Sequence, residues 1–191
     1  MKPLERKDIA SAVRAGEAGA VERLVFTFQD ELYSYALGLL RDPFDAQEIV
    51  QDAFMRAHAA LTTRLGADRC RTLALRPWLY RIARNLAFNR LRARKARREE
   101  ALENGRERSG AAASGKWRFP PPDPEAGQTL SRALGLLGTH DRELLLLRFV
   151  DDLPYSDLAA VTGGSESAAR GRVFRAVSRL RQALTRLEDH R

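Results

Sequence analysis

This sequence predicts an all-α protein, two small helical domains joined by a flexible connection. Three observations carry that expectation. Apolar residues recur every three or four positions through most of the 191 residues, and no alternating strand or hairpin pattern stands out. The pattern lapses across residues 98–128, of which 106–115 are short of large apolar groups and which include Pro120, Pro121, Pro122 and Pro124. It resumes from Thr129 to the end, so residues 1–97 and 129–191 are the expected domains.

Within the first domain, Asp8 can cap a short helix that reaches Ala15, with Gly16 as its stop. A longer helix over residues 18–40 should bury Leu24, Val25, Phe28, Leu32, Tyr35, Ala36 and Leu39. Asp42-Pro43 breaks the chain, and proline suits the first position of the helix that follows. That third helix, residues 44–61, has a stripe of Ala46, Ile49, Val50, Ala53, Phe54, Ala57 and Leu61 on one face. Residues 62–72 read as a polar loop containing Gly66 and Cys70. The fourth helix starts near Pro77 and should bury Leu79, Ile82, Ala83, Leu86 and Leu91, with Trp78 assigned to the core. Four helices over so few residues can share one core of modest stability.

In the second domain Leu130, Ala133, Leu134 and Leu137 make one face, and Gly138-Thr139 supplies a stop and a cap. An apolar stretch over residues 144–150 follows. Ser156 is expected to cap a short helix through Thr162, Gly163-Gly164 to turn the chain, and Ser165 to cap a last helix to about Leu187. In the connection, Trp117 and Phe119 are unusual for such a segment and could stack on a neighbouring domain or a partner.

Thirty-three Lys and Arg against 25 Asp and Glu give a formal charge of +8 and a pI near 10.3. That balance favours a polyanionic partner, because neutralising phosphates releases counterions. Arg76, Arg81, Arg84, Arg90, Arg92, Arg94, Lys95, Arg97 and Arg98 follow one another with no acid between them. One cysteine, Cys70, excludes an internal disulfide and fits a reducing compartment. No apolar run approaches the roughly 20 residues of a membrane span, and the first residues lack the apolar core of a signal peptide, so the expected compartment is the cytoplasm. His58, His140 and His190 are far apart, Cys70 has no metal-type spacing around it, and no phosphate loop or nucleophile motif is present. No catalytic residue, metal or cofactor is therefore expected.

Two patterns point to DNA. The C-terminal pair has the helix-turn-helix layout, with Val173, Ala176, Val177 and Leu180 inward and Ser167, Arg170, Gly171, Arg172 and Arg175 outward. Arginine there can read guanine or clamp phosphate, and the sequence alone does not separate the two. In the fourth helix Arg81, Arg84, Asn85, Phe88, Asn89, Arg92 and Lys95 should face outward, a mixture suited to unstacked bases. A third surface, Asp45, Glu48, Asp52, Met55 and Arg56, lies opposite the Ile49/Phe54 stripe. An acidic face on a basic protein is free to dock another protein, although acids near a helix start also complement its dipole.

Residues 45–57, Asp-Ala-Gln-Glu-Ile-Val-Gln-Asp-Ala-Phe-Met-Arg-Ala, closely resemble the second-region motif of bacterial sigma factors. Residues 78–85, Trp-Leu-Tyr-Arg-Ile-Ala-Arg-Asn, with Leu91-Arg92, look like the promoter-melting helix of the two-domain extracytoplasmic-function group. Residues 144–149, Leu153-Pro154-Tyr155 and residues 172–176 resemble that group's C-terminal domain.

This resemblance implies a four-helix region 2 domain, a flexible linker and a region 4 helix-turn-helix domain. It implies that Asp45, Glu48, Gln51, Asp52, Met55 and Arg56 meet core RNA polymerase at the clamp helices of its largest subunit. The minus-ten element would be recognised and opened by Arg76, Arg81, Arg84, Asn85, Phe88, Asn89 and Arg92, with the loop over residues 62–72 receiving a flipped base. Ser165, Ser167, Arg170, Arg172 and Arg175 would face the minus-thirty-five element, and the second domain would meet the flap of the second-largest subunit. The linker would thread polymerase's interior. An anti-sigma factor is a further implied partner, and no stable homo-oligomer is expected.

Two departures stand out. Asn89 occupies a position where aspartate is common, and residues 167–171 read Ser-Ala-Ala-Arg-Gly where such proteins often have Gly-Thr-Val-Lys-Ser. The second implies altered upstream specificity or weaker upstream contact. Two other readings make different predictions. A self-sufficient helix-turn-helix regulator would bind its operator as a symmetric dimer without polymerase. A general basic nucleic-acid binder would show strong salt dependence and little sequence preference. Cys70, inside the presumed base-reading loop, raises the idea of a redox switch, which needs a lowered thiol pKa.

Overall fold

The computed structural model describes residues 9–103 and 124–189, and every regular element among them is helical. The chain divides into two units, residues 1–115 and 116–191.

The first unit contains α1 (Ile9–Ala15), α2 (Ala20–Leu40), α3 (Pro43–Ala59), a π-helical turn (Ala60–Arg64), α4 (Ala67–Arg71) and α5 (Leu75–Glu103). Gly16 and Gly19 both take positive φ, letting the chain reverse between α1 and α2. Arg41 ends α2 in a left-handed conformation, its N–H donating to the Leu37 carbonyl at 2.8 Å. The break at Asp42-Pro43 forms as expected. Asp42 is the N-cap of α3, its carboxylate accepting from the Phe44 and Asp45 amides at 2.9 and 3.0 Å, with Pro43 at the first helical position.

Helix α3 packs on both α2 and α5. Leu24, Phe28, Leu32, Tyr35, Ala36 and Leu39 of α2 meet Ala46, Ile49, Ala53 and Ala57 of α3 in a buried core. From α5 that core takes Leu79, Tyr80, Ala83, Leu86 and Ala87, whereas Ile82 and Leu91 are only half-buried. Tyr80 was not among the expected core residues. It is fully buried, edge-on to Tyr35 with ring centroids 5.4 Å apart, an arrangement that adds about 0.5–1.5 kcal/mol beyond area burial. Val25, Val50, Phe54 and Trp78 are half-buried.

Two expectations need correction here. The presumed polar loop over residues 62–72 is largely helical, made of the π turn and α4, and Arg14 of α1 donates to the Leu61 and Thr62 carbonyls across it at 3.3 and 3.4 Å. Helix α5 begins at Leu75 and places Pro77 in its first turn, where a missing N–H costs nothing. Asp8 lies outside the described residues.

The second unit contains α6 (Pro124–Leu136), α7 (Thr139–Leu145), a π-helical turn (Leu146–Val150), α8 (Tyr155–Thr162) and α9 (Glu166–Glu188). Ala133, Leu134 and Leu137, the buried run over residues 144–147, Leu153, Leu158 and Val161 form its core with Ala169, Val173, Ala176 and Ala183 of α9. Val177 and Leu180 are half-buried. Ser165 caps α9 as expected, its hydroxyl accepting from the Ala168 amide at 3.1 Å. The other two caps differ. Gly138 and Pro154 hold the N-cap positions of α7 and α8, so Thr139 and Ser156 lie inside the helices. Arg142 instead donates to the Leu134 and Leu137 carbonyls at 3.0 and 3.1 Å, satisfying the end of α6.

Helix reaches into both ends of the expected connection over residues 98–128. Residues 98–103 continue α5, being rich in good helix formers, and Pro124 starts α6 at a position that proline suits. Trp117, Phe119, His190 and residues 104–123 lie outside the described residues. Among the described residues no helix is long and apolar enough to cross a membrane.

Candidate functional site

The basic run that dominates the sequence of α5 is divided by the fold into two faces with different work. Arg90 and Arg94 turn inward onto the start of α3. Arg90 pairs with Asp45 and, at 2.7 Å, with Glu48. Arg94 pairs with Asp45 and, at 2.8 Å, with Asp42, while also donating to the Leu40 carbonyl at 3.2 Å. One helix turn after another, these contacts clamp α5 across the α2–α3 junction. Arg76 does the same job on α2, pairing with Glu31 at 2.8 Å and lying over the Tyr80 ring at 5.7 Å.

Electrostatics follow the geometry. The Asp45 amide, donating to the Asp42 carboxylate, and the Arg94 guanidinium beside it hold the Asp42 carboxyl below its ordinary value against the opposing effect of burial. The hydrogen bond to Glu48, with Asp45 nearby, raises the pKa of Arg90.

These contacts revise two site assignments. The Asp45 side chain is only 13% exposed and is engaged inside the unit, so it is poorly placed to grip a partner. Arg76 is likewise committed to Glu31 rather than offered outward. Glu48 sits at the margin, exposed yet bonded to Arg90. Gln51, Asp52, Met55 and Arg56 are all exposed on the outer face of α3. Phe44 joins them at the start of that helix, 81% exposed and unforeseen from the sequence. Spacing offered the signal: Phe44, Glu48, Gln51 and Met55 follow one another by four, three and four residues.

On the opposite side of α5, Arg81, Asn85, Asn89 and Arg92 are exposed, and Arg84 and Phe88 are half-buried. Arg84 lies over the Phe88 ring at 4.6 Å, and Arg92 donates to the Asn89 side-chain oxygen. A guanidinium stacked on an aromatic ring, amides on either side, is a surface on which an unstacked base can lie.

In the second unit, α8, the Gly163-Gly164 turn and α9 form the helix-turn-helix unit. Arg170 and Arg175 are exposed on α9, as is Ser167. Arg170 pairs with Glu166 at 3.2 Å and lies over Tyr155 at 5.1 Å, with Arg148 over the same ring at 5.2 Å. The hydrogen bond to Asp152, and then that with Tyr155, raises the pKa of Arg148.

Arg172 does something else. It reaches back to the Gly163 carbonyl and to the Thr162 hydroxyl at 3.2 Å, pinning the turn. The structure thus engages Arg172 inside the unit, where the sequence reading has it facing DNA. Ser165 is occupied as the helix cap, although its hydroxyl proton remains available to an acceptor. Phe174, 76% exposed, lies one turn beyond Arg170.

Cys70 is fully buried on α4, away from any oxidant, which removes the basis for a redox switch. Among the described residues no group of His, Cys, Asp and Glu could hold a metal ion.

Among the described residues every regular element is helical, with a first unit packed around a tyrosine pair and a helix-turn-helix in the second. The Sigma-70 region 2 family matches residues 24–97, and the Sigma-70, region 4 family matches residues 127–180. RNA polymerase sigma-H factor of Pseudomonas aeruginosa is 29% identical over 184 residues, which cover 93% of each chain. The ECF RNA polymerase sigma-E factor of Escherichia coli K12 is 29% identical over 177 residues, covering 88% of each. Two solved structures share the fold at a TM-score of 0.67 and 24% identity. One is CnrH in complex with the cytosolic domain of CnrY, covering 94% of this chain and 96% of that one. The other is sigma factor RpoE with the anti-sigma factor NepR from Bartonella quintana, covering 88% and 98%. The chain belongs to the extracytoplasmic-function (ECF) group of RNA polymerase sigma factors.

Proposed function

We propose that this ECF sigma factor docks on core RNA polymerase through the outer face of α3 and opens promoters with the outer face of α5. Glu48, Gln51, Asp52, Met55 and Arg56 meet the clamp helices of the largest subunit. Arg81, Arg84, Asn85, Phe88, Asn89 and Arg92 hold the minus-ten element as its strands part. In the second unit Ser167, Arg170 and Arg175, with the Ser165 hydroxyl, engage the minus-thirty-five element, while the unit rests on the flap of the second-largest subunit.

The observation that carries this reading is the sorting of cations on α5. Arg76, Arg90 and Arg94 neutralise acids of α2 and α3, whereas Arg81, Arg84 and Arg92 stay among amides and an aromatic ring. Stacking on such groups contributes about 1–3 kcal/mol per base, enough to offset part of the cost of unpairing. An anti-sigma factor covering these faces in the resting cell is a further part of the proposal, supported by the complex of sigma factor RpoE with the anti-sigma factor NepR in which one structural neighbour was solved.

The test is transcription in vitro from a randomised promoter library, using core polymerase with and without this chain. Promoter-dependent initiation only in its presence supports the reading, and its absence refutes it. Arg81→Ala with Asn85→Ala should reduce permanganate reactivity of unpaired thymines far more than holoenzyme assembly.

A further inference from the structure

Helix α1 lies upstream of the residues that the region 2 family matches. Its Ile9, Ala10, Ala12 and Val13 are buried, and the helix packs on α2, the π-helical turn and α4. From its last turn the half-buried Arg14 directs one Nη1 to the Leu61 and Thr62 carbonyls, 47 and 48 residues further along the chain. Those carbonyls belong to the end of the rod formed by α3 and the π turn, which stops where Leu65 becomes extended. A helix supplies no amide of its own to its last carbonyls, and a guanidinium there also opposes the negative end of the dipole.

The remaining side-chain bonds of this segment are local. The Thr62 and Thr63 hydroxyls donate to the His58 and Ala59 carbonyls at 2.8 and 2.6 Å, and Thr72 donates to the Asp68 carbonyl at 3.2 Å. Among the described residues, Arg14 is the one side chain that hydrogen-bonds to the segment from another part of the fold. Residues 60–71 stand directly before α5, whose outer face offers Arg81 and Asn85. A strand lying along that face toward the start of the helix runs onto this segment next. There it meets the exposed Thr63, Arg64 and Arg69, and neither arginine has an acidic partner among the described residues. Such groups serve only where their backbone is fixed, and a displacement of about 1 Å is enough to lose a contact.

We propose that Arg14 is a positioning residue for promoter opening. By bracing the π turn and α4 from α1, it fixes the cations that meet the opened strand where it leaves α5. This rests on the promoter-opening reading above. Arg14 itself touches no DNA, so its whole effect passes through Arg64 and Arg69.

The experiment uses holoenzyme assembled from core polymerase and the full chain, on a promoter from which it initiates. Affinity for a fork template with a single-stranded minus-ten segment is measured for the unaltered chain, for Arg14→Met, for Arg64→Gln with Arg69→Gln, and for all three changes together. Methionine keeps the apolar stem of Arg14 and removes its donors. Arg14→Met should weaken binding about threefold or more, yet by less than about twofold once Arg64 and Arg69 are gone, the signature of residues acting as one unit. Combined with Arg81→Gln instead, the two losses should multiply, as independent sites do. Arg14→Lys, which still donates to a carbonyl, should recover most of the loss. Every measurement is made well below the melting temperature of each variant, and a general loosening of the unit would multiply with both backgrounds alike. Losses that multiply on every background, no loss from Arg14→Met, or normal binding without Arg64 and Arg69 would each overturn the brace. Failure of the unaltered holoenzyme to initiate sinks the opening reading and the brace with it, whereas initiation with uncoupled losses sinks the brace alone.

Discussion

Asp45 and Asp52 lie seven residues apart on one helix, yet the structure assigns them opposite roles, and a pair of alanine substitutions separates them. Asp45 is 13% exposed and faces two guanidinium groups, those of Arg90 and Arg94, which are about one-third exposed. Removing its carboxylate takes away a hydrogen bond from Arg90 and an ion pair with Arg94. The charge-assisted hydrogen bond is worth about 1.5–3 kcal/mol when well sheltered, and both contacts less where water reaches the arginines. Arg90 keeps Glu48 and Arg94 keeps Asp42, so neither is left wholly uncompensated. A net cost of about 2 kcal/mol follows, below the 3–5 typical of a broken buried pair. For a unit of this size that lowers the melting temperature by about 8–16 °C.

Asp52→Ala, by contrast, should leave the melt within about 2 °C and weaken association with core polymerase. Circular dichroism melts of the full chain, followed by a polymerase pull-down below both transitions, make the comparison. An Asp45→Ala protein that melts with the unaltered chain would refute the clamp, and an Asp52→Ala protein that binds polymerase normally would refute the docking face.

Other consequences are equally direct. Arg172→Ala should destabilise the second unit by about 1–2 kcal/mol by removing the bonds to Gly163 and Thr162, whereas Arg175→Ala should spare the melt and weaken binding to the minus-thirty-five element. Because folding lowers the Asp42 pKa, its contribution is complete above the unfolded value near 3.9 and is lost as pH falls through the folded value. Asp42→Asn, which keeps the cap, should therefore flatten the fall in stability below about pH 4 in acid melts. Glu166→Gln frees Arg170 from an exposed pair, so minus-thirty-five binding by the holoenzyme should tighten by up to about fivefold in a mobility-shift titration. Cys70 should react with a thiol reagent only as fast as the first unit opens, a rate that denaturant accelerates.

Much of the site was legible because local pattern carries it. Ser165 announced the last helix, Asp42-Pro43 marked the break before α3, and Gly163-Gly164 marked the turn of the DNA-binding pair. The misreadings share one cause. Arg76 reads as a DNA-facing cation, and nothing local shows that Arg90 and Arg94 are paired, because their acidic partners are 42 to 52 residues away in sequence. Helical phase held a clue. Arg76, Tyr80, Ala83, Ala87, Arg90 and Arg94 run in steps of four and three along the buried side of α5, a register that outward-facing cations would not share.

The sequence by itself determined the helical class, the two-part organisation and the family, since periodicity, capping residues and short motifs are properties of neighbouring positions. Only the tertiary structure decided which charges are free to act. A charge paired across a helix interface is neutralised by a group that folding brings near, and nothing local distinguishes it from one left facing solvent. That is why Asp45, Arg76 and Arg172 are engaged within their own units while Asp52, Arg81 and Arg175 remain outward.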